Sequence, residues 1–379
     1  MNILHVIVGL EIGGAELMLK RLIDSHQGNP GYCHSVISLT GVGKIGEQLR
    51  EMGVELRTLG MHSSLDIPRV LWELVRVIRL ERPDIVQTWM YHADLLGGLA
   101  ARLAGNHHVI WGVRTTDITA GGKRTTLLVR KLCAWLSVWL PHTIICAADA
   151  SRRSHIEVGY DSSRMVSIPN GFETERLVAT KVQRVALRTQ CKFNDNTIVV
   201  GSLGRFHADK DYANFVRAAG FLAHQFYDVR FLLVGRDLDA NNAELAMWIA
   251  ATGYTDRFVL LGERSDAPVC FAAMDIYCLH SRTEGFPNGL GEAMAMGLPC
   301  VTADVGDAAF LLSNTGVVVP KNNSKALTEG VNKLLAITAE QRFILGQKSK
   351  ARIYSEFTMK RCRERFEKVY QHVYLEIKK

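Results

Sequence analysis

Residues 282–299 read RTEGFPNGLGEAMAMGLP and place two carboxylates, Glu284 and Glu292, on either side of a Pro-Asn-Gly turn. The short apolar segment before them reads as a buried strand. The turn chemistry is typical of a helix start, and the residues from Leu290 onward have strong helix propensity. The stretch therefore predicts a strand, an open loop and a helix N-terminus. Such an N-terminus favours an anionic ligand, and the carboxylates suit a ligand rich in hydroxyl groups.

The same alternation of strand and helix extends in both directions from this stretch. The segment 3–8 is a continuous apolar run, typical of a parallel strand that is covered on both faces. The predicted strands are 3–8, 36–39, 54–59, 84–88, 109–113, 143–147 and 165–168, then 198–203, 229–234, 258–261, 276–279, 300–302 and 316–319. Helical segments separate most of them, so the sequence predicts doubly wound α/β sheets with right-handed crossovers.

A second Pro-Asn-Gly turn, in IPNGF at residues 168–172, interrupts this alternation, and no strand follows it directly. We therefore predict an N-terminal domain over 1–168, a second domain over 169–355 and a C-terminal helix over 356–379. Ligands of doubly wound sheets bind beyond the carboxyl ends of the strands. Two such domains predict a cleft between two sets of strand-end loops.

The composition excludes several classes of protein. With 47% hydrophobic and 22% charged residues, the 379-residue chain is globular rather than disordered, and its net charge of +7 is too modest to predict nucleic-acid binding. The longest apolar run, around 132–145, is interrupted by Pro141 and falls short of the roughly 20 residues that span a bilayer. We expect a soluble protein, at most peripheral to a membrane. The cationic segment 348–379 suits an anionic surface, or is simply a solvated helix face.

The eight cysteines show neither a CxxC motif nor a spacing typical of metal ligands. Most lie in apolar surroundings, which predicts core residues in a reducing, cytoplasmic compartment. The N-terminus MNILHVIVGL lacks the basic start and the cleavage site of a signal peptide, so it is interpreted as a first strand.

Two cations follow the first predicted strand of the second domain, Arg205 and Lys210 in GSLGRFHADKDY. Arginine offers a planar fork and lysine a point charge, so the pair can bracket a diphosphate. Taken alone, the pair is better interpreted as surface cations near the acidic neighbours Asp209 and Asp211. Gly13 and Gly14 end the first strand-to-helix turn and would let backbone N–H groups approach a phosphate. Their spacing is not the GxGxxG of dinucleotide-binding proteins.

Three further features have both a functional and a structural interpretation. His92 follows the strand at 84–88, where it is either a polar or acid–base contact to a ligand or an ordinary histidine at a helix start. Asp237 and Asp239 form a DxD, but Asp239 is better interpreted as a helix N-cap than as a metal ligand. A further group of residues could line a site for an acceptor that carries phosphate: Arg114, Gly121, Gly122, Lys123 and Arg124. The alternative is that these cations are simply solvated.

These residues resemble the retaining glycosyltransferases of family four, which have the GT-B fold of two Rossmann-like domains. The resemblance covers nearly the whole chain. It is carried by GSLGRFHADKDY, LLVGRD, LLGERSDAP and EGFPNGLGEAMAMGLPCVTADVGD in the second domain, with Glu284 and Glu292 as the Glu-x7-Glu pair. IPNGF and IGGAE are similar to the interdomain turn and the first-domain glycine loop. One departure is the absence of a Gly-rich turn and a further acidic residue at 308–310.

The resemblance implies a role for each matching residue. Arg205 and Lys210 would hold the donor diphosphate, and Glu284 would contact the donor sugar. Glu292 would bind the ribose, and Arg264 would offer a backbone contact to the base. Gly13 and Gly14 would close on the donor from the first domain, and His92 is a looser match to an active-site histidine. The backbone of the turn would contact sugar and diphosphate through Phe286, Pro287, Asn288, Gly289 and Leu290. The C-terminal helix would return to the first domain.

The expected reaction transfers a hexose or N-acetylhexosamine from a nucleotide-diphosphate sugar, UDP rather than GDP, with retention. The sugar nucleotide is a co-substrate, and neither a metal nor another cofactor is expected. The acceptor would be a saccharide or a polyprenyl-diphosphate-linked sugar, at the inner face of the cytoplasmic membrane. The alternatives are a sugar-nucleotide epimerase or phosphorylase of the same fold, or a non-catalytic subunit. A nicotinamide dehydrogenase is a remote further alternative, since the fingerprint is missing.

Overall fold

The computed structural model describes residues 1–116 and 124–376, which form two compact units. The first unit comprises Met1–Gly171 and the segment that begins at Met359. Its strands and helices alternate as predicted: β1 (Asn2–Ile7), α1 (Gly14–Ser25), β2 (Cys33–Ser38), α2 (Gly43–Glu51), β3 (Glu55–Thr58), α3 (Ile67–Glu81), β4 (Ile85–Trp89), α4 (Tyr91–Leu103), β5 (Val109–Val113), α5 (Arg124–Leu136), β6 (Thr143–Cys146), α6 (Asp149–Val158) and β7 (Met165–Ser167).

The second unit, Phe172–Thr358, repeats this architecture. Its elements are α7 (Lys181–Gln190), β8 (Ile198–Leu203), α8 (Tyr212–Gln225), β9 (Val229–Val234), α9 (Ala243–Ala250), β10 (Phe258–Leu260), α10 (Ala267–Ala273), β11 (Ile276–Leu279), α11 (Asn288–Ala295), β12 (Cys300–Ala303), α12 (Ala308–Leu312), β13 (Val317–Val319), α13 (Ser324–Leu335) and α14 (Ala339–Glu356). A short 3₁₀ turn, Ala208–Lys210, lies between β8 and α8.

Both sheets are wholly parallel and have the same order of strands. The seven-stranded sheet is ordered β3-β2-β1-β4-β5-β6-β7, and the six-stranded sheet β10-β9-β8-β11-β12-β13. The prediction of doubly wound α/β sheets is therefore confirmed. The chain leaves the central strand in one direction and returns on its other side, so each sheet has a switch point, β1 beside β4 and β8 beside β11. Strand-end loops diverge at a switch point and leave a crevice for a ligand.

The last helix, α15 (Met359–Glu376), belongs to the first unit. Its buried residues Phe366, Tyr370 and Val373 share a hydrophobic cluster with Ile3 and Trp89 of the first sheet. The cationic C-terminal segment therefore contributes an apolar face to the core. The units divide between Gly171 and Phe172, whereas the sequence placed the junction between Ile168 and Pro169.

Within the described part of the chain, no helix combines the length and apolar character that crossing a bilayer requires. The cysteines are free thiols, and all except Cys33 are buried, as expected for core residues.

Candidate functional site

The two strands at the switch point of the second unit each carry one candidate catalytic residue in the loop that follows. Lys210 ends the 3₁₀ turn after β8, and Glu284 lies in the loop after β11. Because β8 and β11 are paired neighbours, their loops meet, and Lys210 Nζ lies 2.6 Å from Glu284 Oε1. The side chains are 29% and 12% exposed, respectively, so the pair is partly open to a ligand. The sequence predicted both residues but not that they bind each other.

Two neighbours in the loop after β11 hold this pair in place. The Ser281 hydroxyl donates a hydrogen bond of 2.6 Å to Glu284 Oε1. Arg282 Nη2 donates to Asp211 Oδ1 at 2.8 Å, and the Arg282 backbone N–H donates to the Asp209 carbonyl at 2.7 Å. These bonds connect the loop after β11 to the loop after β8. We call Lys210, Glu284 and Ser281, together with His280 described next, the β8–β11 site.

His280 is a buried residue of this site that the sequence analysis missed. Its Nδ1 lies 2.5 Å from the Lys210 carbonyl, and its Nε2 lies 2.8 Å from the Ser202 hydroxyl. A carbonyl only accepts, so Nδ1 carries the proton, and Nε2 accepts from Ser202. Burial lowers the pKa of His280 to about 4, which keeps the ring neutral. His280 thus fixes the backbone that presents Lys210. Its position directly after a strand at the switch point was the available signal.

A glycine also fixes the Glu284 loop from the other side. Gly306 has a φ of +55°, and a Cβ at this position would overlap with the Glu284 carbonyl oxygen. The next residue, Asp307, donates its backbone N–H to the Gly285 carbonyl at 3.0 Å. The loop after β12 therefore packs backbone to backbone against the loop that carries Glu284. Only glycine fits this close approach.

Helix α11 begins at Asn288, earlier than the predicted Leu290, and Pro287 is its N-cap residue. The Pro287 side chain makes no capping hydrogen bond, and the positive end of the helix dipole at this turn favours an anion. Glu292 is half-buried in the second turn of the helix. Both carboxylates flank the same loop-to-helix transition.

The other predicted residues of the turn differ in what they can present to a ligand. Phe286 is buried against Phe172 and Phe357, at ring distances of 6.2 and 5.7 Å. Pro287 and Leu290 are also buried, so these side chains serve the core. Asn288 and Gly289 are half-buried, and a Cβ at Gly289 would lie 2.7 Å from the Tyr277 hydroxyl. Tyr277 is a second buried neighbour that the sequence did not reveal.

Two of the predicted donor-binding residues are arginines of the second unit. Arg205 is exposed in the loop after β8. Arg264 is held by Asp266, with Nε and Nη2 donating to its two carboxylate oxygens at 2.8 and 2.5 Å. The guanidinium of Arg264 is therefore already paired with a carboxylate, and a backbone contact from Arg264 to the base stays a prediction.

Gly13, Gly14 and His92 belong to the first unit and follow the two strands of its switch point, β1 and β4. Gly13 is the N-cap residue of α1, and Gly14 is exposed. His92 is half-buried in the first turn of α4, and burial lowers its pKa. The preceding Met90 has φ 72° and ψ 158°, a conformation that costs a non-glycine residue about 1–3 kcal/mol. That these residues face a donor stays a prediction.

Two features of the sequence analysis need correction. Arg114 is not a solvated cation: its guanidinium is buried, 4.7 Å from the Trp89 ring and 5.5 Å from the Phe366 ring. Asp239 is not an N-cap, because Asn242 caps α9 by accepting a hydrogen bond from the Leu245 N–H. Asp237 is exposed. Gly121, Gly122 and Lys123, expected near an acceptor phosphate, lie outside the described residues.

The described residues contain no group of three or more His, Cys, Asp or Glu side chains that could hold a metal ion. The loops after β8 and β11 carry the cationic side chains of Lys210, Arg205 and Arg282.

Two family models match the chain. Residues 12–176 match "Glycosyltransferase Family 4", and residues 197–336 match "Glycosyl transferases group 1". The second match spans the whole β8–β11 site. The chain belongs to the family 4 glycosyltransferases.

Curated relatives of this glycosyltransferase cover most of its length. It is 27% identical over 280 residues to an Escherichia coli enzyme named UDP-Gal:alpha-D-GlcNAc-diphosphoundecaprenol alpha-1,3-galactosyltransferase, a match that covers 72% of this chain and 70% of the relative. It is 25% identical over 348 residues to the capsular polysaccharide biosynthesis glycosyltransferase CapM of Staphylococcus aureus, covering 87% and 88% of the two chains.

Solved structures have the same fold. Anabaena Alr3699/HepE in complex with UDP superposes with a TM-score of 0.86 at 22% identity, covering 98% of this chain and 100% of that one. The same Anabaena protein with UDP-glucose gives a TM-score of 0.84. At this level of identity the likeness establishes the GT-B fold and nothing about the ligand of this chain.

Proposed function

We propose that this glycosyltransferase moves a hexose or N-acetylhexosamine from a UDP-sugar to a saccharide or polyprenyl-diphosphate-linked acceptor, with retention, in the assembly of a surface polysaccharide or glycolipid. The observation that carries the proposal is the Lys210–Glu284 contact of 2.6 Å at the switch point of the second unit. It puts a cation for a diphosphate beside a carboxylate for a sugar, the two groups that sugar transfer needs.

Charge matching supports a diphosphate leaving group. Lys210 and Arg205 follow β8, and the N-terminus of α11 adds its dipole at the neighbouring strand end. Positive charge placed where negative charge develops in the transition state accelerates the reaction. These groups supply that charge without a metal. The Lys210 ammonium is paired with Glu284, so a diphosphate would compete with that carboxylate for the ammonium.

The carboxylate supports recognition of the sugar. An ionised glutamate accepts hydrogen bonds only, so Glu284 suits the hydroxyl groups of a hexose next to the reacting carbon. Ser281 orients the carboxylate through its hydrogen bond to Oε1, which leaves Oε2 for the sugar. Glu292 would bind the ribose hydroxyls from the second turn of α11. The backbone at Arg264 would contact the base.

We expect a front-side displacement. The bond from the anomeric carbon to the diphosphate oxygen breaks, and the electron pair leaves with UDP. The acceptor oxygen forms its bond on the same face, and its proton passes to the departing phosphate. No nucleophilic side chain is then needed.

One relative favours UDP over GDP and a lipid-linked acceptor. The E. coli relative is named for UDP-galactose and for a diphosphoundecaprenol acceptor. CapM is named for capsular polysaccharide. We therefore place the reaction at the inner face of the cytoplasmic membrane, a reducing compartment in which the free cysteines stay as thiols.

The test is an assay of the purified chain with UDP-glucose, UDP-galactose, UDP-N-acetylglucosamine and GDP-mannose. The acceptor is N-acetylglucosamine linked to a lipid diphosphate, products are followed by mass spectrometry, and their anomeric configuration is read by NMR. We expect transfer from one UDP-sugar with the donor's configuration retained. Inverted product would overturn the front-side route. Epimerised donor without transfer would favour an epimerase, and neither turnover nor nucleotide binding would leave a non-catalytic subunit.

Chelation tests the metal-free scheme. Adding EDTA to the same assay should leave the rate unchanged, because Lys210, Arg205 and the α11 N-terminus neutralise the diphosphate. Loss of activity that Mg²⁺ or Mn²⁺ restores would contradict the scheme and return attention to Asp237 and Asp239.

A further inference from the structure

The turn between β4 and α4 has a backbone conformation that glycine adopts readily and other residues rarely do. Met90, the N-cap residue of α4, has φ 72° and ψ 158°, and it lies two residues before His92. Strain of this kind persists only where the surrounding structure enforces it, and it is concentrated at sites where geometry serves function. The contacts that enforce it here come chiefly from a buried side chain, that of Asp94.

Asp94 ties the turn to the neighbouring strand β5. Its Oδ1 accepts a hydrogen bond of 2.5 Å from the Thr88 hydroxyl and one of 3.4 Å from the Gly112 N–H. The Asp94 N–H donates to the Met90 carbonyl at 2.8 Å, and the Met90 N–H donates to the Gly112 carbonyl at 2.9 Å. These bonds close a ring through Met90, Asp94 and Gly112, so the side chain of Asp94 helps to hold the strained conformation. We call Thr88, Asp94 and Gly112 the Asp94 clasp.

Two glycines allow the Asp94 clasp to close. A Cβ at Gly97 would lie 2.7 Å from Thr88 Cγ2, and one at Gly112 would lie 2.7 Å from the Thr88 carbonyl oxygen. Helix α4 therefore approaches β4 and β5 more closely than a side chain at either position would permit. Thr88 and Asp94 are fully buried in this contact, which leaves them little freedom to move.

The carboxyl group of Asp94 is a costly one to bury. Burial raises its pKa to about 7, and Oδ2 has no hydrogen-bond partner among the residues that the structure describes. A buried polar oxygen without a partner lowers the stability of the fold. Oδ1 accepts from Thr88 and Gly112 whether or not Oδ2 carries a proton. The clear benefit of this side chain is thus the geometry of the turn.

Tyr91, on the other side of His92, is held by separate contacts. Its hydroxyl lies 2.7 Å from Thr115 Oγ1 and donates to His155 Nε2 at 2.9 Å. That direction follows because His155 Nδ1 must donate to the Ser151 carbonyl, at 2.7 Å. The His92 ring itself is half-buried and has no hydrogen-bond partner within the described part of the chain. The residues that flank His92 are therefore fixed, and its ring is left for a ligand.

We propose that Asp94 is a positioning residue, which holds the strained Met90 turn through Thr88 and Gly112 and thereby presents the His92 ring to the substrate. The inference deepens the proposed function and rests on it in one respect, since it requires that His92 contact a hydroxyl group of the sugar. Strain and burial arise when the chain folds. The ring therefore needs no further ordering when the substrate binds, which favours the reaction.

The experiment compares Asp94→Leu, which removes both acceptor oxygens, with Asp94→Asn, which keeps Oδ1 as an acceptor. Thr88→Val is a milder variant, because it keeps the shape and removes only the hydroxyl. Each variant is made in the wild type and in His92→Ala, and kcat and KM are measured in the transfer assay. Ser137→Ala is the matched control, since the Ser137 hydroxyl is buried in the same unit and donates to the Ala134 carbonyl at 2.6 Å.

Two further measurements accompany the rates. Thermal melting shows that each variant folds. NMR of protein with isotope-labelled histidine rings follows the His92 signal, which is assigned by its loss in His92→Ala. Burial holds the pKa of His92 below its ordinary value, so a turn that relaxes and exposes the ring should raise this pKa.

We expect Asp94→Leu to lower kcat by about 10²-fold, because a displacement of about 1 Å has an effect of this size. Thr88→Val should lose a few-fold, Asp94→Asn should recover most of the loss, and Ser137→Ala should match the wild type. In the His92→Ala background, Asp94→Leu should change kcat by less than about twofold, since the two residues act as one unit. Asp94→Leu and Thr88→Val should also shift the His92 signal and raise its pKa.

Equal losses from Asp94→Leu with and without His92 would overturn the inference, because Asp94 would then act on stability alone. The same conclusion would follow if Asp94→Asn lost as much as Asp94→Leu. Thr88→Val decides the question if Asp94→Leu does not fold. If no form transfers sugar, the proposed function is refuted, and the His92 signal then decides the inference: an unchanged signal in both Asp94→Leu and Thr88→Val would overturn it.

Discussion

The two units place different chemistry at the same point of the same fold. In each, the first strand of the unit lies beside the strand that begins the second half of the sheet, β1 beside β4 and β8 beside β11. In the second unit the two loops are joined by an ion pair, Lys210 with Glu284. In the first unit the corresponding loops carry a glycine pair and His92, which follows the strained Met90.

The two units therefore differ in where their charged side chains lie. The second unit keeps its strand-end cations and carboxylates partly exposed, where a ligand can reach them. The first unit places several ionisable groups inside its fold: Arg114 lies between aromatic rings, and burial raises the pKa of Asp94 to about 7. A shared topology therefore gives the position of a site, and the side chains at the strand ends give its ligand.

The largest expected effect comes from separating the ion pair of the second unit. Lys210→Ala and Glu284→Ala should each lower transfer by about 10³-fold, because each removes a charge that acts on the transition state. Initial rates with saturating donor measure this. Lys333→Ala, which removes an exposed lysine of α13 in the same unit, should leave the rate unchanged. The assigned roles would be contradicted if both variants lost their folded structure in thermal melting, or if neither variant lost rate.

The second-largest loss of rate is expected from filling the close contact at Gly306. Gly306→Ala places a methyl group against the Glu284 carbonyl, so the loop must shift, and a shift of about 1 Å can cost about 10²-fold in rate. Gly253→Ala is the matched control: its φ is +77°, but nothing lies within 4 Å of its Cβ. The control should lose only about 1–2 kcal/mol of stability from the left-handed backbone. Similar rates for the two variants would show that the Glu284 loop tolerates displacement.

His280 tests whether the second unit depends on a buried neutral group as well as on exposed charge. His280→Phe keeps the ring volume but leaves the Lys210 carbonyl and the Ser202 hydroxyl without that partner, at a cost of about 1–3 kcal/mol. We expect about a tenfold loss in kcat/KM. His280→Asn can still donate to the carbonyl and should recover part of it. No difference between the two variants would reduce His280 to a space-filling residue.

The smallest expected effect is on stability and concerns three histidines of the first unit whose rings are joined in a row by hydrogen bonds. Trp89 Nε1 donates to His5 Nδ1 at 3.2 Å, His5 Nε2 lies 2.9 Å from His34 Nδ1, and His34 Nε2 lies 3.1 Å from His26 Nδ1. Since the indole only donates, His5 must accept at Nδ1 and donate at Nε2 to His34 Nδ1. His26 Nδ1 lies 3.1 Å from His34 Nε2 and also 3.1 Å from the Leu22 carbonyl, which only accepts. Beyond them, Glu367 and Arg363 of α15 face His26. The chain holds only while the rings are neutral.

Burial, with help from the neighbouring His26, lowers the pKa of His34 to about 3, whereas an unfolded histidine titrates near 6.5. Between these values the unfolded chain binds a proton that the folded chain does not, so stability falls as the pH falls from about 6.5 towards 3 and is constant with respect to His34 above 6.5. His34→Asn should lower the slope by about 1.4 kcal/mol per pH unit in urea unfolding. The exposed His62→Asn is the control. An unchanged slope in His34→Asn would contradict the neutral chain.

The sequence predicted the parts of the molecule that follow local rules. Apolar runs located the strands of both sheets, and the Pro-Asn-Gly turn located the start of α11 within two residues. The sequence also predicted Lys210 and Glu284 as site residues, because charged side chains at strand ends are easily recognised beside apolar segments. It did not predict their contact, since the pairing of β8 with β11 is set by tertiary structure.

The residues that the sequence missed act through contacts distant in the chain. His280 meets Lys210 across 70 residues, and Gly306 meets the Glu284 backbone from the next strand loop. Arg114 was misread because a cation after a strand normally faces solvent, whereas here aromatic rings from β4 and α15 enclose it. Such enclosure leaves no pattern in a single sequence.

The central claim is that the β8–β11 site binds a nucleotide diphosphate through Lys210 while Glu284 serves the sugar. Calorimetric titration of UDP into the full chain tests it most directly, with the wild type, Lys210→Ala, Glu284→Gln and the Lys333→Ala control compared. UDP has the diphosphate but no sugar, so Lys210→Ala should bind at least about tenfold more weakly, in line with a charged hydrogen bond, while Glu284→Gln binds as well as the wild type. Equal affinity of the wild type and Lys210→Ala for UDP would contradict the claim.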